Sequence, residues 1–304
     1  YASAQAISDY VEQRGGRFIW TGPNWPKWDP NRSAFDNITD IYPRVHTFDL
    51  ALLYDVQDIL GIDALPIMKV ISVNEMYNPK EITKHMRANP NYYILHHTNE
   101  KRDIKAVTTT PYYHSFHCAD PKIYHPGDGK KKYDFVLLGK ITQVVYPLRH
   151  KLKSVMEMLE KNGYKCYNHK HPGYDVSKPD KETRRFADTI RATRIVLTCS
   201  SKYSYRLSKY AEIPLCGTAL AADLPKDGKS FFRKFVIEIK PTDSVGHIYH
   251  KLTNALPNWK IYADRGLEST LQNSLQTHYA KRFFDIYENH LERLRNPPAV
   301  YIPD

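Results

Sequence analysis

Two cations and a carboxylate recur at helical spacing between residues 205 and 218. Arg206, Lys209 and Glu212 follow one another at intervals of three residues, so on a helix they would share one broad face. The apolar run 194–199 before them predicts a buried strand. A strand that leads into a helix can bind an anion at the helix N-terminus, because free backbone N–H groups and the helix dipole both favour negative charge there.

Ser200 and Ser201 follow that predicted strand and are candidates for the N-cap of the helix. Arg206 and Lys209 would then neutralise a diphosphate, and Glu212 would accept hydrogen bonds from a ribose diol. The alternative is a surface helix on which the lysine and the glutamate pair with each other. Spacing alone leaves both interpretations open.

Four segments of the chain resemble one family of enzymes. Residues 209–218 are similar to the K-x-x-E-I-x-x-x-G-T segment of glycosyltransferases with two Rossmann-like domains, a fold called GT-B. Residues 18–25 resemble the early W-G-P-G-W segment of that family, and residues 133–149 resemble the opening of its second domain. Residues 277–282 resemble its late H-T-Y-x-x-R helix, with the first two residues exchanged. Because the segments keep the family's order, the resemblance spans almost the whole chain.

The resemblance implies a fold class, a reaction and a set of site residues. The fold would be α/β, with two Rossmann-like domains facing across a cleft and a C-terminal helix crossing back to the first domain. The enzyme would move a sugar from a nucleoside-diphosphate-sugar donor to a hydroxyl of a glycan or other acceptor. Cations would stabilise the leaving diphosphate, so no metal or other cofactor is expected. The donor-binding candidates are Gly139, Lys140, Arg149, Ser200, Ser201, Arg206, Lys209, Glu212, Gly217 and Thr218.

The sequence indicates the catalytic residues less clearly than the donor-binding residues. Many retaining enzymes of this fold carry a second glutamate upstream of the one that Glu212 matches, but Ser204 occupies that region here, so the stereochemical outcome stays open. An inverting reaction needs a general base, and Glu75 and His97 end the two best predicted strands of the first domain. Alternatively, Glu75 caps a helix and His97 is a core histidine. Trp20 and Trp25 offer aromatic faces for a sugar ring or simply pack together.

The organisation of the chain follows from its patterning. Three parts are predicted, namely an acceptor-side domain over 1–127, a nucleotide-sugar domain over 128–266 and a helical crossover over 267–304. Strands are expected at 17–20, 67–73, 92–97, 107–111 and 134–139, and again before and after the 206–212 helix. A doubly wound domain should begin with a strand before its first helix, so we expect that strand to lie upstream of Tyr1.

Composition narrows the class of protein. The 304 residues are 41% apolar and 25% charged, as in globular proteins, and contain no apolar run long enough to span a membrane. The 4 cysteines show no metal or disulfide spacing, which predicts a reducing compartment such as the cytoplasm. The net charge of +11 favours anionic partners, including a membrane surface. No nucleic-acid-binding motif is visible, so nucleic acid is not an expected partner.

Two rival functions fit the same sequence. A nucleotide-sugar epimerase of this architecture would alter its sugar without an acceptor. A non-catalytic module would bind a nucleotide sugar, or would use its basic surface on nucleic acid or an anionic membrane.

Overall fold

The computed structural model describes residues 2–23, 25–54, 59–73, 79–169 and 179–296. The chain divides into two compact units. The first unit comprises Ala4–Phe116 and Ala280–Asp304, and the second unit comprises His117–Tyr279 together with Tyr1–Ser3.

The first unit contains a four-stranded parallel sheet in the order β1-β2-β3-β4. Its strands are β1 (Leu50–Tyr54), β2 (Met68–Val73), β3 (Tyr92–Leu95) and β4 (Tyr112–His114). Its helices before residue 117 are α1 (Ala2–Glu12), α2 (Ala34–Ile41), α3 (Pro79–Arg87) and α4 (Lys101–Lys105), with 3₁₀ turns at Val45–Thr47 and Thr98–Glu100. The Ser33 hydroxyl caps α2 by accepting the Asp36 N–H at 3.1 Å.

The second unit contains a five-stranded parallel sheet in the order β6-β5-β7-β8-β9. The strands are β5 (Tyr133–Leu138), β6 (Cys166–His169), β7 (Thr193–Leu197), β8 (Ala219–Ala222) and β9 (Ile237–Glu238). The helices are α5 (Pro147–Lys161), α6 (Pro179–Arg191), α7 (Lys209–Leu215), α8 (Lys229–Phe232), α9 (Val245–Ala255) and α10 (Trp259–Asn273), with a 3₁₀ turn at Leu256–Asn258. This alternation of strands and helices confirms the predicted α/β class.

Both faces of the second sheet are buried, which explains the continuous apolar run of β5. Phe135 and Leu137 pack on one face with Leu152 of α5 and Leu252 of α9. Successive strand residues point to opposite faces, so Val136 packs on the other face with the residues of α6 and α7.

The last helix, α11 (Gln276–Arg295), begins in the second unit and continues into the first. Within the first unit the Phe284 ring stacks on Tyr10 of α1, with ring centroids 4.7 Å apart. The Tyr113 hydroxyl lies 3.0 Å from Nδ1 of His290. The predicted crossover of the C-terminal helix is therefore confirmed. No helix within the described ranges is long and apolar enough to cross a membrane.

Two predicted strands are wrong. Residues 17–20 form no strand, and the Phe18 and Trp20 rings pack on each other instead. Residues 107–111 are not a strand, because the Thr108 hydroxyl accepts the Thr110 N–H and bends the chain, so β4 begins after Pro111. The helical tail is divided in two, because Ser274 and Leu275 pair with Ala119 and interrupt it.

Candidate functional site

The second sheet has a topological switch point between β5 and β7. From β5 the chain moves outward to β6, and it then returns to pair β7 on the other side of β5. In open α/β sheets ligands bind beyond the carboxyl ends of the strands at such a point. Gly139 follows β5 there, and its φ of +99° is in a region that residues other than glycine rarely adopt.

Arg149 of α5 connects the ends of β5 and β7. Its Nη1 donates to the carbonyl of Lys140 at 2.9 Å, and its Nη2 donates to the Thr198 hydroxyl at 3.1 Å and to the Cys199 carbonyl at 3.3 Å. The guanidinium is buried, lies 4.1 Å from the centre of the Tyr146 ring, and forms no ion pair with any carboxylate in the described ranges. Arg149 therefore holds both strand ends and places a buried positive charge between them.

Lys209 brings a second cation to the same place. A Cβ on Gly139 would lie 3.3 Å from Cε of Lys209 and 2.8 Å from Nη1 of Arg149, so both side chains pass against this glycine. Burial lowers the pKa of Lys209, the neighbouring Arg149 lowers it further, and Glu212 opposes both effects. Within the described residues the Lys209 ammonium forms no hydrogen bond or ion pair, and its Nζ lies 5.6 Å from the centre of the Phe186 ring.

Glu212 lies one turn further along α7 and is half-buried. Burial raises the pKa of its carboxyl group, while the charge of Lys209 and a hydrogen bond with Ser208 lower it. Lys209 and Glu212 therefore present a cation and an acceptor from one short helix, as the sequence predicts. The Lys140 side chain is exposed next to Gly139.

The start of this helix differs from the prediction. α7 begins at Lys209 with Ser208 in the N-cap position, so Ser200 and Ser201 do not cap it. Ser201 takes a left-handed φ of +69° in the preceding turn. Arg206 also precedes the helix, and its buried guanidinium donates to the Ser274 hydroxyl at 2.9 Å and stacks 5.0 Å from the centre of the Phe232 ring.

A carboxylate that the sequence reasoning missed occupies the end of the next strand. Asp223 follows β8, and its Oδ1 accepts the Ser200 backbone N–H at 2.8 Å while its Oδ2 accepts the Ser200 hydroxyl at 2.5 Å. The Ser200 donors are thus already used within the protein. The pattern of an acidic residue directly after a buried apolar strand was the available signal for Asp223.

Gly217 and Thr218 lie at the opposite end of the strands from Gly139. They precede β8, at the amino ends of the parallel strands, whereas Gly139 follows β5 at the carboxyl ends. The buried Thr218 hydroxyl donates to the Ile190 carbonyl at 2.9 Å and accepts a hydrogen bond from Nζ of Lys131 at 3.3 Å. The structure therefore does not bring this pair to the switch point, although both follow α7 in sequence.

The candidates in the first unit have mixed outcomes. Glu75 lies outside the described residues. His97 is the second residue after β3, is buried, and directly precedes the 3₁₀ turn Thr98–Glu100. Beside it, His96 donates from Nδ1 to the Ser115 carbonyl at 2.8 Å, so its Nε2 accepts from the Ser72 hydroxyl at 3.1 Å. Burial lowers the pKa of His96 to about 4.

The predicted tryptophans lie together in the first unit. The Trp20 and Trp25 rings stack with centroids 5.8 Å apart, and Trp25 is 43% exposed. Trp20 is half-buried, so the exposed ring of Trp25 offers the flat apolar face of the kind that sugar C–H groups contact. In the part of the chain that the structure describes, no group of three His, Cys, Asp or Glu side chains could hold a metal ion.

Comparison with known proteins supports the architecture. No protein-family model matches the sequence, and no curated protein matches it. A glycosyltransferase from Rickettsia africae superposes with a TM-score of 0.63 at 10% identity, over 95% of this chain and 94% of that one. HepE from Anabaena, in complex with UDP and glucose, superposes with a TM-score of 0.59 at 9% identity, over 92% of this chain and 88% of that one.

A third match is a protein from Listeria monocytogenes assigned as a UDP-N-acetylglucosamine 2-epimerase. Its TM-score is 0.55 at 11% identity, over 99% of this chain and 96% of that one. These matches and the two parallel sheets show that the chain has the GT-B fold. At this level of identity, the similarity establishes the fold and not the reaction.

Proposed function

We propose that the protein is a glycosyltransferase that moves a sugar from a nucleoside-diphosphate-sugar donor to a hydroxyl of a glycan or another acceptor. The meeting of Arg149 and Lys209 beside Gly139, at the switch point of the second sheet, carries this proposal. Arg149 is buried and Lys209 is half-buried, and neither forms an ion pair with a carboxylate within the described ranges. A charge withdrawn from water is stable only with compensation. A diphosphate would supply the missing negative charge, and Glu212 would accept hydrogen bonds from the ribose.

The reaction forms a bond between the acceptor oxygen and the anomeric carbon and breaks the bond between that carbon and the diphosphate oxygen. The acceptor's proton passes to a base, for which Glu75 and His97 remain the proposed groups. The departing diphosphate keeps the electron pair of the broken bond. Lys209, with the field of Arg149, would stabilise the negative charge that grows on the diphosphate in the transition state. It would stabilise the charge of the intact donor less, and this difference lowers the barrier.

Uridine diphosphate is the first ligand to test. The matched HepE structure contains UDP and glucose, which supports a uridine nucleotide here as a starting hypothesis. Adenosine and guanosine diphosphates belong in the same titration, because no described contact in this chain identifies the base.

The test is a calorimetric titration of the three nucleoside diphosphates into the wild-type protein and three variants. Lys209→Met removes the ammonium at similar length, and Glu212→Gln removes the charge of the proposed ribose acceptor. Lys165→Met is the matched control, because this exposed lysine precedes β6 at the amino edge and its loss changes the net charge equally. Loss of a charge-assisted contact should weaken binding by about tenfold to a hundredfold.

Two results would contradict the proposal. One is a wild-type protein that binds none of the three nucleotides. The other is Lys165→Met weakening binding as much as Lys209→Met, because binding would then reflect net charge alone.

The full-length match to an assigned epimerase supports a second candidate function, an acceptor-independent change of the donor sugar. Incubation of the protein with UDP-N-acetylglucosamine alone separates the two. An altered nucleotide sugar in the absence of acceptor would indicate an epimerase, whereas an acceptor-dependent release of UDP would indicate a transferase.

A further inference from the structure

Asp223 is a buried carboxylate with neutral partners. Besides the two donors of Ser200, the Tyr210 hydroxyl donates to the Asp223 carbonyl at 2.6 Å and lies 3.2 Å from its Oδ1. No basic side chain in the described ranges forms an ion pair with this carboxylate. Burial raises its pKa, and the hydrogen bonds from Ser200 and Tyr210 oppose that effect. The energy of the buried group therefore depends on keeping these two partners in place.

The two partners lie at the two ends of one segment. Ser200 stands shortly after the end of β7, and Tyr210 is the second residue of α7. Asp223 thus fixes both the exit from β7 and the first turn of the helix that carries Lys209. The Tyr210 ring is itself buried and packs against Phe232, so the anchoring point lies in the core of the unit.

The segment between the two ends has an unfavourable backbone. Ser201 and Ser204 have left-handed φ values of +69° and +57°. Such conformations are costly for residues other than glycine and persist only where surrounding contacts determine them. The Ser204 N–H donates to the Ser201 carbonyl at 3.2 Å, and the Tyr205 N–H donates to the Ser200 carbonyl at 2.8 Å. The hydrogen bonds to Asp223 complete this framework from outside the segment.

We propose that Asp223 is a positioning residue for nucleotide binding, which holds Ser200 and Tyr210 so that Lys209 lies beside Gly139. It acts on the diphosphate only through Lys209. This inference rests on the proposed function and assigns to the same site a residue that does not itself touch the ligand.

Three variants separate positioning from folding. Asp223→Ala removes both side-chain acceptors. Asp223→Asn keeps one oxygen that accepts the Ser200 N–H, and its NH₂ group can donate to the Ser200 hydroxyl. Leu252→Ala is the control, because it truncates a fully buried side chain of α9. We expect Asp223→Ala to weaken UDP binding about tenfold at a temperature where it is folded. Asp223→Asn should restore most of the affinity, and Leu252→Ala should leave it unchanged.

A double-mutant cycle tests the route of action. If Asp223 acts through Lys209, the variant carrying both Asp223→Ala and Lys209→Met should bind UDP as weakly as Lys209→Met alone. Tyr210→Phe keeps the carboxylate and removes one anchor of α7, so it replaces Asp223→Ala in the cycle if that variant does not fold.

Failure of this inference differs from failure of the proposed function. If the wild type binds UDP and Asp223→Ala binds equally well, Asp223 is a structural residue only. Fully additive effects in the cycle would also overturn the positioning role. If the wild type binds no nucleoside diphosphate, the proposed function fails, and this inference fails with it.

Discussion

The substitution Gly139→Ala tests the closest packing in the candidate site. The glycine has a φ of +99°, and a Cβ there would lie 2.8 Å from Nη1 and 3.0 Å from Cζ of Arg149. The guanidinium cannot withdraw easily, because its nitrogens bind Lys140, Thr198 and Cys199. We therefore expect the substitution to disturb the contact between the two strand ends.

The expected loss of stability has two parts. A left-handed backbone costs an alanine about 1–2 kcal/mol relative to glycine. Forcing a methyl group against a fixed neighbour adds about 1–3 kcal/mol. Together the free energy of unfolding should fall by roughly 2–5 kcal/mol. UDP binding should weaken as well, because Arg149 and Lys209 both pass against the new methyl group.

Gly163→Ala is a matched control in the same unit. Gly163 has a φ of +85° but nothing lies within 4 Å of the position of its Cβ, so this variant carries the backbone cost alone. Urea denaturation of both variants measures the difference. If Gly139→Ala is no more destabilising than Gly163→Ala, Arg149 does not pack against Gly139 as described.

Two further predictions concern stability. The pKa of His96 falls from 6.5 to about 4 on folding, so between these values the unfolded chain takes up a proton that the folded protein does not. Stability should therefore drop by up to about 3 kcal/mol as the pH falls through this window. His96→Asn should remove that part of the pH dependence in urea denaturation curves, and an unchanged slope would contradict the burial of a neutral imidazole. Leu252→Ala, in the core of the second unit, should lower the free energy of unfolding by about 2–5 kcal/mol in the same assay. A loss below about 1 kcal/mol would mean that α9 is not packed as described.

Elements with strong periodicity were predictable from the sequence. The apolar run of β5 is predicted within one residue at each end, because burial of both sheet faces imposes that pattern. β4 was misplaced because Thr108 and Pro111 oppose a strand locally. Strand propensities do not account for the hydrogen bond from the Thr110 N–H to the Thr108 hydroxyl. The strand β1 is not among the expected strands, since a short apolar segment fits a helix or a strand equally well.

The placement of two candidate site residues on one helix was predictable for the same reason. Lys209 and Glu212 share a helix, so their spacing alone indicated a common face. Arg206 did not join them, because the left-handed turn at Ser201 and Ser204 delays the helix, and serine gives no signal for that conformation. Asp223 was missed because its partners come from distant positions in the chain, and only the order of β7 and β8 in the sheet brings them together.

The division of α11 between the two units has a consequence for synthesis. The second unit is almost one continuous stretch of sequence, residues 117–279, so it can fold as soon as that stretch leaves the ribosome. The first unit cannot, because Phe284 and His290 reach it only after the segment that follows the second unit has emerged. Its apolar surface would stay exposed until that segment is made, so residues 4–116 should reach their native state after the second unit. Chaperone contacts on nascent chains are then expected mainly over residues 4–116.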